Sequence, residues 1–160
     1  MSSTARLPRA VSSHRETGVR KPSADTSKRM AVTRAHDNPR ELEIRSALHR
    51  LGYRFNPHGV PLQDLRRSAD ILFRARKVAV FLDGCFWHGC PWHATWPKRN
   101  AAWWREKILR NKQRDRETNA RLREGGWQVI RVWDHVPLTV AVNRIAAALQ
   151  SGLAGRDAAA

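Results

Sequence analysis

The segment Gly84–His93, GCFWHGCPWH, limits what this chain can become more than any other stretch. Two cysteines and two histidines fall within nine positions, and these are the only cysteines of the 160 residues. So few cysteines argue against a disulfide framework, and two of them beside histidines read as metal ligands. Zn²⁺ takes thiolate and imidazole ligands in a tetrahedron, and Cys85, Cys90 and His93 have workable spacing for three of the four places. The fourth ligand is either His135, which follows the strand-like VIRVW, or His88 within the segment itself. Cys85 also follows a strand-like run, so neighbouring strand ends could bring it to His135. A closed four-ligand site is structural, and here it would pin a loop with little apolar core of its own. The plainer alternative is two buried thiols with incidental histidines, cysteine behaving as a small hydrophobe.

The length suits one domain. Residues 1 to about 36 are rich in Ser, Thr, Arg and Lys and read as disordered when free. The division expected is a basic arm over 1–26, a domain over 27–150 and a Gly/Ala-rich flexible tail over 151–160. Asn38 caps a helix with Pro39 in its first turn; Ile44, Leu48 and Leu51 recur at helical spacing, and Gly52 ends the run. Ala69–Phe73 and Val78–Leu82 are apolar runs of strand length, joined as a hairpin through Arg74–Arg76. Asn100 caps a long helix carrying Trp104, Ile108 and Leu122 that stops at Gly125–Gly126. Trp127–Trp133 reads as a buried strand and Thr139–Gln150 as a final helix. The order α-β-β-α-β-α predicts a single α/β domain, a mixed central sheet flanked by helices.

Lys and Arg number 30 against 14 Asp and Glu, a formal charge of +16. Arginine supplies most of the excess and forms forked contacts to phosphate, which points to nucleic acid rather than a merely solvated basic surface. No stretch approaches the ~20 apolar residues of a membrane helix. The N-terminus lacks the apolar region of a secretory signal, so a cytoplasmic location is expected. Asp70 stands inside the apolar run ADILF, where an ionised carboxylate is costly unless it is paired or binds a cation. Mg²⁺ prefers such hard oxygen ligands, although pairing with Arg66 or Arg67 is the simpler reading. Asp83 ends the next strand, and Glu41 lies in the first turn of the first helix, where the helix dipole alone would favour it. His88, once left out of the zinc set, is a group able to move protons in phosphodiester hydrolysis. Aromatic side chains crowd the same region, and such rings can wedge between base pairs. Phe86, Trp87 and Trp104 read as functional, Trp127 and Trp133 as core.

The blocks ELEIRSALHRLGYRF, ADILF, VAVFLDGCFWHGCPWH and WPKRNAAWWREKILRNKQRDRETNARLREGGWQVIRVWDH resemble the very short patch repair DNA mismatch endonucleases. The resemblance runs from Ser27 to His135. It implies a fold similar to type II restriction endonucleases and a nick 5′ to the thymine of a T:G mismatch, the lesion left by deamination of 5-methylcytosine. Asp70 matches the Mg²⁺-binding aspartate of that family, Leu82 a position whose backbone carbonyl serves the metal, His88 the catalytic histidine and Glu41 the acidic residue of the first helix. Cys85, Cys90, His93 and His135 fall on a structural Zn²⁺ site. Phe86, Trp87 and Trp104 match aromatics that intercalate beside the mismatch, and Met30 a residue of an arm that enters the minor groove. Double-stranded DNA with a T:G mismatch is the implied partner of a monomer, with mismatch-repair proteins and a repair polymerase beyond it. Where the family often has a final cysteine ligand this chain has His135, an equally suitable one. Two other readings share the charge and the cluster: a zinc-stabilised DNA-binding module without catalysis, and a restriction-type endonuclease that cuts intact sites.

Overall fold

The computed structural model describes residues 38–157, so the arm over 1–26 and Met30 lie outside the described residues. The first helix, α1 (Pro39–Arg50), starts as its sequence dictates: the Asn38 side chain accepts a hydrogen bond from the Glu41 N–H at 2.9 Å. Ile44 and Leu48 are fully buried, while Leu51 falls at the C-cap and is 60% exposed. Gly52, at φ +86°, turns the chain out of the helix.

Among the described residues four strands form one sheet in the order β1-β2-β3-β4. They are β1 (Asn56–Gly59), β2 (Ala69–Phe73), β3 (Val78–Asp83) and β4 (Gln128–Trp133). The first two pairings are antiparallel and the third is parallel, so the sheet is mixed. β2 and β3 are joined by a 3₁₀ turn over Arg74–Arg76. The parallel return from β3 to β4 is made through α2 (Ala101–Glu124), and α3 (Leu138–Asp157) closes the order.

Several boundaries differ from the sequence reading. β1 was not predicted: NPHG has neither alternation nor β-branched residues, and its proline is tolerated because the strand lies at the sheet edge. Trp127 precedes β4 rather than starting it, and is buried in the core beneath α2. Asn100 sits at the N-cap of α2 in a left-handed conformation and makes no side-chain cap. α3 continues to Asp157 instead of stopping at Gln150, so the stretch read as a flexible tail is helical that far.

Helices cover both faces of the sheet. Ile44 and Leu48 of α1, with Ile145 and Leu149 of α3, pack against Ile71, Val78, Val80, Ile130 and Val132. On the other face Leu122 and Trp127 pack against Leu72, Ala79 and Phe81. Each such apolar side chain contributes about 1.5–3 kcal/mol on burial. The alternation along β3 places Val78 and Val80 on the α1/α3 side, and Ala79 and Phe81 on the α2 side. Leu82 and Asp83 continue it, so the last two residues of β3 serve opposite faces. Among the described residues no helix is long and apolar enough to cross a membrane.

Candidate metal centres and active-site cleft

In the parallel β3–β4 register Asp83 lies opposite Trp133, and the Asp134 N–H donates to the Asp83 carbonyl at 3.0 Å. Two residues beyond each strand, Cys85 Sγ and His135 Nδ1 are 3.1 Å apart. The loop then folds back through Cys90 N–H to the Cys85 carbonyl at 2.9 Å. This puts Cys90 Sγ 3.7 Å from His93 Nδ1 and 3.8 Å from His135 Nδ1. All four donor atoms lie within 4.8 Å of one another. Zinc bonds of ~2.3 Å to sulfur and ~2.0 Å to nitrogen require tetrahedral edges of roughly 3.3–3.8 Å. The donor set fits an ion of that size, with His135 rather than His88 as its fourth member. Gly89 lets the loop lie on α2: its φ is +62°, and a Cβ there would meet Lys112 Cε at 2.7 Å and Ile108 Cγ2 at 2.9 Å. The Asn111 side chain ties the loop down by donating to the Trp87 carbonyl at 2.9 Å.

On the α1 side of the β3 end, β2 contributes Asp70. Its Oδ2 accepts the Leu82 N–H at 2.7 Å. In an extended strand a residue's N–H and C=O point the same way, so the Leu82 carbonyl leaves β3 toward Asp70 as well. Burial pushes the Asp70 carboxyl up by more than the Leu82 N–H lowers it, and the nearby charges of Glu41 and Asp83 add to the rise, bringing its pKa to about 6. Glu41, His58 and Asp70 offer three ligand atoms within 4.8 Å of one another. Buried Arg45 binds this group together: its Nη2 lies 2.8 Å from the Asp70 carbonyl, 3.1 Å from His58 Nε2 and 3.3 Å from Glu41 Oε2. The carboxylates of Glu41 and Asp70 beside the Leu82 carbonyl are a hard-oxygen set suited to a divalent cation such as Mg²⁺.

On the α2 side stands His88. Its Nδ1 is 2.6 Å from Asp115 Oδ2 and 3.6 Å from Asp83 Oδ1. Burial alone would push its pKa down; the Asp115 hydrogen bond and the charges of Asp83 and Asp115 outweigh that, and the net shift is upward. The same contact, helped by Arg131, holds the Asp115 carboxyl below its ordinary value despite burial. Arg131 of β4 joins both acids, reaching Asp83 Oδ1 at 2.6 Å and Asp115 Oδ1 at 2.9 Å.

Glu41 and Leu82 of the first group and His88 and Asp115 of the second open on one cleft of about 1380 Å³ between α1 and α2, with Asp70 and His58 set behind its wall. Arg40, Arg67, Lys107, Arg110 and Arg114 stand on its walls beside the further acids Glu117 and Asp134, so cationic and acidic side chains share it. Trp87 borders the cleft and packs with Phe86 and Trp104, ring centroids 5.2 and 5.9 Å away. The sequence reading put all three aromatics toward a partner; here Phe86 and Trp87 are half-buried, while Trp104 is only 6% exposed and forms the floor beneath them. Lys107 Nζ sits over the Trp103 ring at 4.5 Å, on the cleft side. Trp127 is core as expected, but Trp133 is half-buried and stacks on the His135 ring at 6.5 Å.

Sequence reasoning missed Asp115, Arg131, Arg45 and His58. Arg131 carried a usable signal, a charge within the apolar strand VIRVW. Asp115 carried none, since it looks like any polar residue of a highly charged helix.

A family model described as DNA mismatch endonuclease Vsr matches residues 20–94. The chain is 46% identical over 121 residues to the Type II nicking enzyme V.NaeI of Lentzea aerocolonigenes, covering 74% of this chain and 73% of that protein. It is 38% identical over 105 residues to the Type II nicking enzyme V.XorIIP of Xanthomonas oryzae pv. oryzae, covering 65% and 75%. To the DNA mismatch endonuclease Vsr of Escherichia coli it is 31% identical over 115 residues, covering 69% and 70%. Buried carboxylates and a carboxylate-held histidine at one cleft accord with the endonuclease and nicking activities named for these relatives. The chain belongs to the Vsr family.

Proposed function

We propose that this protein is a Mg²⁺-dependent mismatch endonuclease that nicks one strand 5′ to the thymine of a T:G mismatch, in very short patch repair of deaminated 5-methylcytosine. The observation that carries the reading is the division of histidines. His135 completes the Cys85, Cys90 and His93 set, which leaves His88 on Asp115 at 2.6 Å, in the cleft and away from the thiolates. The restriction-endonuclease-like fold belongs to this proposal, supported by the mixed sheet with its acidic residues at the ends of β2 and β3.

Asp70 and the Leu82 carbonyl would hold the magnesium ion, with Glu41 beside them. When bound, that ion supplies positive charge to the scissile phosphate and the leaving oxygen. His88 takes a proton from the attacking water, with Asp115 fixing its ring and favouring the charged form. Arg67, Lys107, Arg110 and Arg114 bind the phosphate backbone along the cleft, which positions the duplex without reading its sequence. Phe86 and Trp87 wedge beside the mismatch, where weakened stacking makes distortion least costly. Zn²⁺ on Cys85, Cys90, His93 and His135 holds the loop that presents them. The protein acts as a monomer, with mismatch-repair proteins and a repair polymerase as later partners.

The nearest rival is a nicking activity indifferent to mismatches. Three matched duplexes carrying T:G, C:G or T:A, each with Mg²⁺ or EDTA, separate the two. Mg²⁺-dependent cutting of T:G alone is expected. Equal cutting of all three would leave a restriction-type endonuclease, and no cutting would leave a binding module.

A further inference from the structure

Arg131 lies at the centre of the α2-side group and is not itself among the residues that line the cleft. Its guanidinium uses all three nitrogens. Nε donates to Asn119 Oδ1 at 3.1 Å, Nη1 to Asp83 Oδ1 at 2.6 Å and Nη2 to Asp115 Oδ1 at 2.9 Å. The plane is steadied against the Phe81 ring, with Cζ 4.9 Å from its centroid. Asp115 spends its second oxygen on His88 Nδ1 at 2.6 Å. The chain of contacts runs from β4, through Arg131, to one oxygen of Asp115, and from the other oxygen to His88.

This arrangement does more than tie α2 to the sheet. Asp83 is buried at 4% exposure, and both Asp83 and Asp115 lie within ion-pair reach of His88 Nδ1. Two carboxylates facing one imidazole offer two competing orientations of its ring. Arg131 removes the competition: it occupies Asp83 Oδ1 at 2.6 Å, the atom that would otherwise draw His88, and presents Asp115 with its free oxygen forward. A fork with fixed geometry holds both carboxylates at once, which a lysine's single ammonium can do only in part.

We infer that Arg131 is a positioning residue for the nicking reaction, holding Asp83 and Asp115 so that only Asp115 orients His88. The inference rests on the nicking reading above. Its test is a double-mutant cycle on a T:G duplex, with single-turnover nicking rate, duplex affinity and bound zinc measured for wild type, Arg131→Ala, Asp115→Asn and the double variant. Outer contacts of this kind typically carry roughly 10–100-fold in activity. Each single variant is expected to slow nicking by about that factor, with zinc retained and affinity within about threefold. The double variant should be no slower than the worse single by more than about threefold, because both act through one histidine. Arg131→Lys should recover part of the rate lost by Arg131→Ala, and it carries the same cycle if the alanine variant does not fold. Multiplying losses in the double variant, an unchanged rate in Arg131→Ala, or equal loss of rate and affinity would overturn the role of Arg131. Failure of the wild type to nick T:G would instead remove the reading beneath it.

Discussion

Replacing Asp70 by asparagine should make the protein more stable and inactive at once. The Asp70 carboxyl is pushed from 3.8 to about 6 by burial and by the charges of Glu41 and Asp83. Its folded form therefore holds a proton more tightly than its unfolded form, so ionisation of Asp70 costs stability as pH rises from about 4 through about 6. A shift of a little over two units, at about 1.4 kcal/mol each, sets a ceiling of about 3 kcal/mol at pH 8. Asparagine can still accept the Leu82 N–H that Asp70 Oδ2 accepts at 2.7 Å, so the exchange removes the charge and keeps the bond. Thermal and urea unfolding in magnesium-free buffer, with zinc retained, should show D70N more stable by about 1–3 kcal/mol near pH 8. The gap should close near pH 4, where both side chains are neutral. Added Mg²⁺ should narrow it near pH 8 by stabilising the wild type alone. D70N should bind a T:G duplex and fail to nick it. A D70N protein no more stable than wild type near pH 8, or a gap that persists unchanged at pH 4, would refute the reasoning.

His135→Ala should lose zinc and several kcal/mol of folding stability, whereas His88→Ala should keep its zinc; metal analysis of the purified proteins decides this, and zinc loss in the latter would return His88 to the ligand set. Trp104→Ala should destabilise the fold by about 3–5 kcal/mol, because Trp104 is only 6% exposed. Trp87→Ala should leave the fold largely intact and reduce the preference for T:G over C:G, and undiminished preference would remove Trp87 from recognition. Removing Lys107 and Arg114 together should flatten the salt dependence of duplex binding by roughly two phosphate contacts; an unchanged slope would place the backbone elsewhere.

The grouping of Cys85, Cys90, His93 and His135 was legible because it depends on two short stretches whose strands are neighbours. The parallel pairing of Asp83 with Trp133 carries Cys85 and His135 to the same level, as strand-end placement suggested. Asp70 was legible from one charge in an apolar strand, whereas Glu41 alone read as a helix-dipole residue and only the family resemblance pointed it to the site. What surrounds them was not. Asp115 meets His88 only because α2 crosses the end of β3, and nothing local distinguishes it from the other acids of that helix. Arg45 and His58 meet across β1, a strand with no hydrophobic signature. The aromatic cluster was legible as a group, but the burial of Trp104 beneath Phe86 and Trp87 follows from how the loop lies on α2.

The central claim is that a histidine excluded from the zinc set serves a single-strand cut at the mismatch. The most direct measurement uses a T:G duplex with each strand labelled separately, incubated with excess enzyme and Mg²⁺, and maps the cut to the nucleotide for wild type and His88→Ala. The account predicts one product, from the thymine strand, cut immediately 5′ to the mismatched thymine, and little or none from His88→Ala. Cutting of both strands, cutting of the guanine strand, or a normal rate from His88→Ala would contradict it.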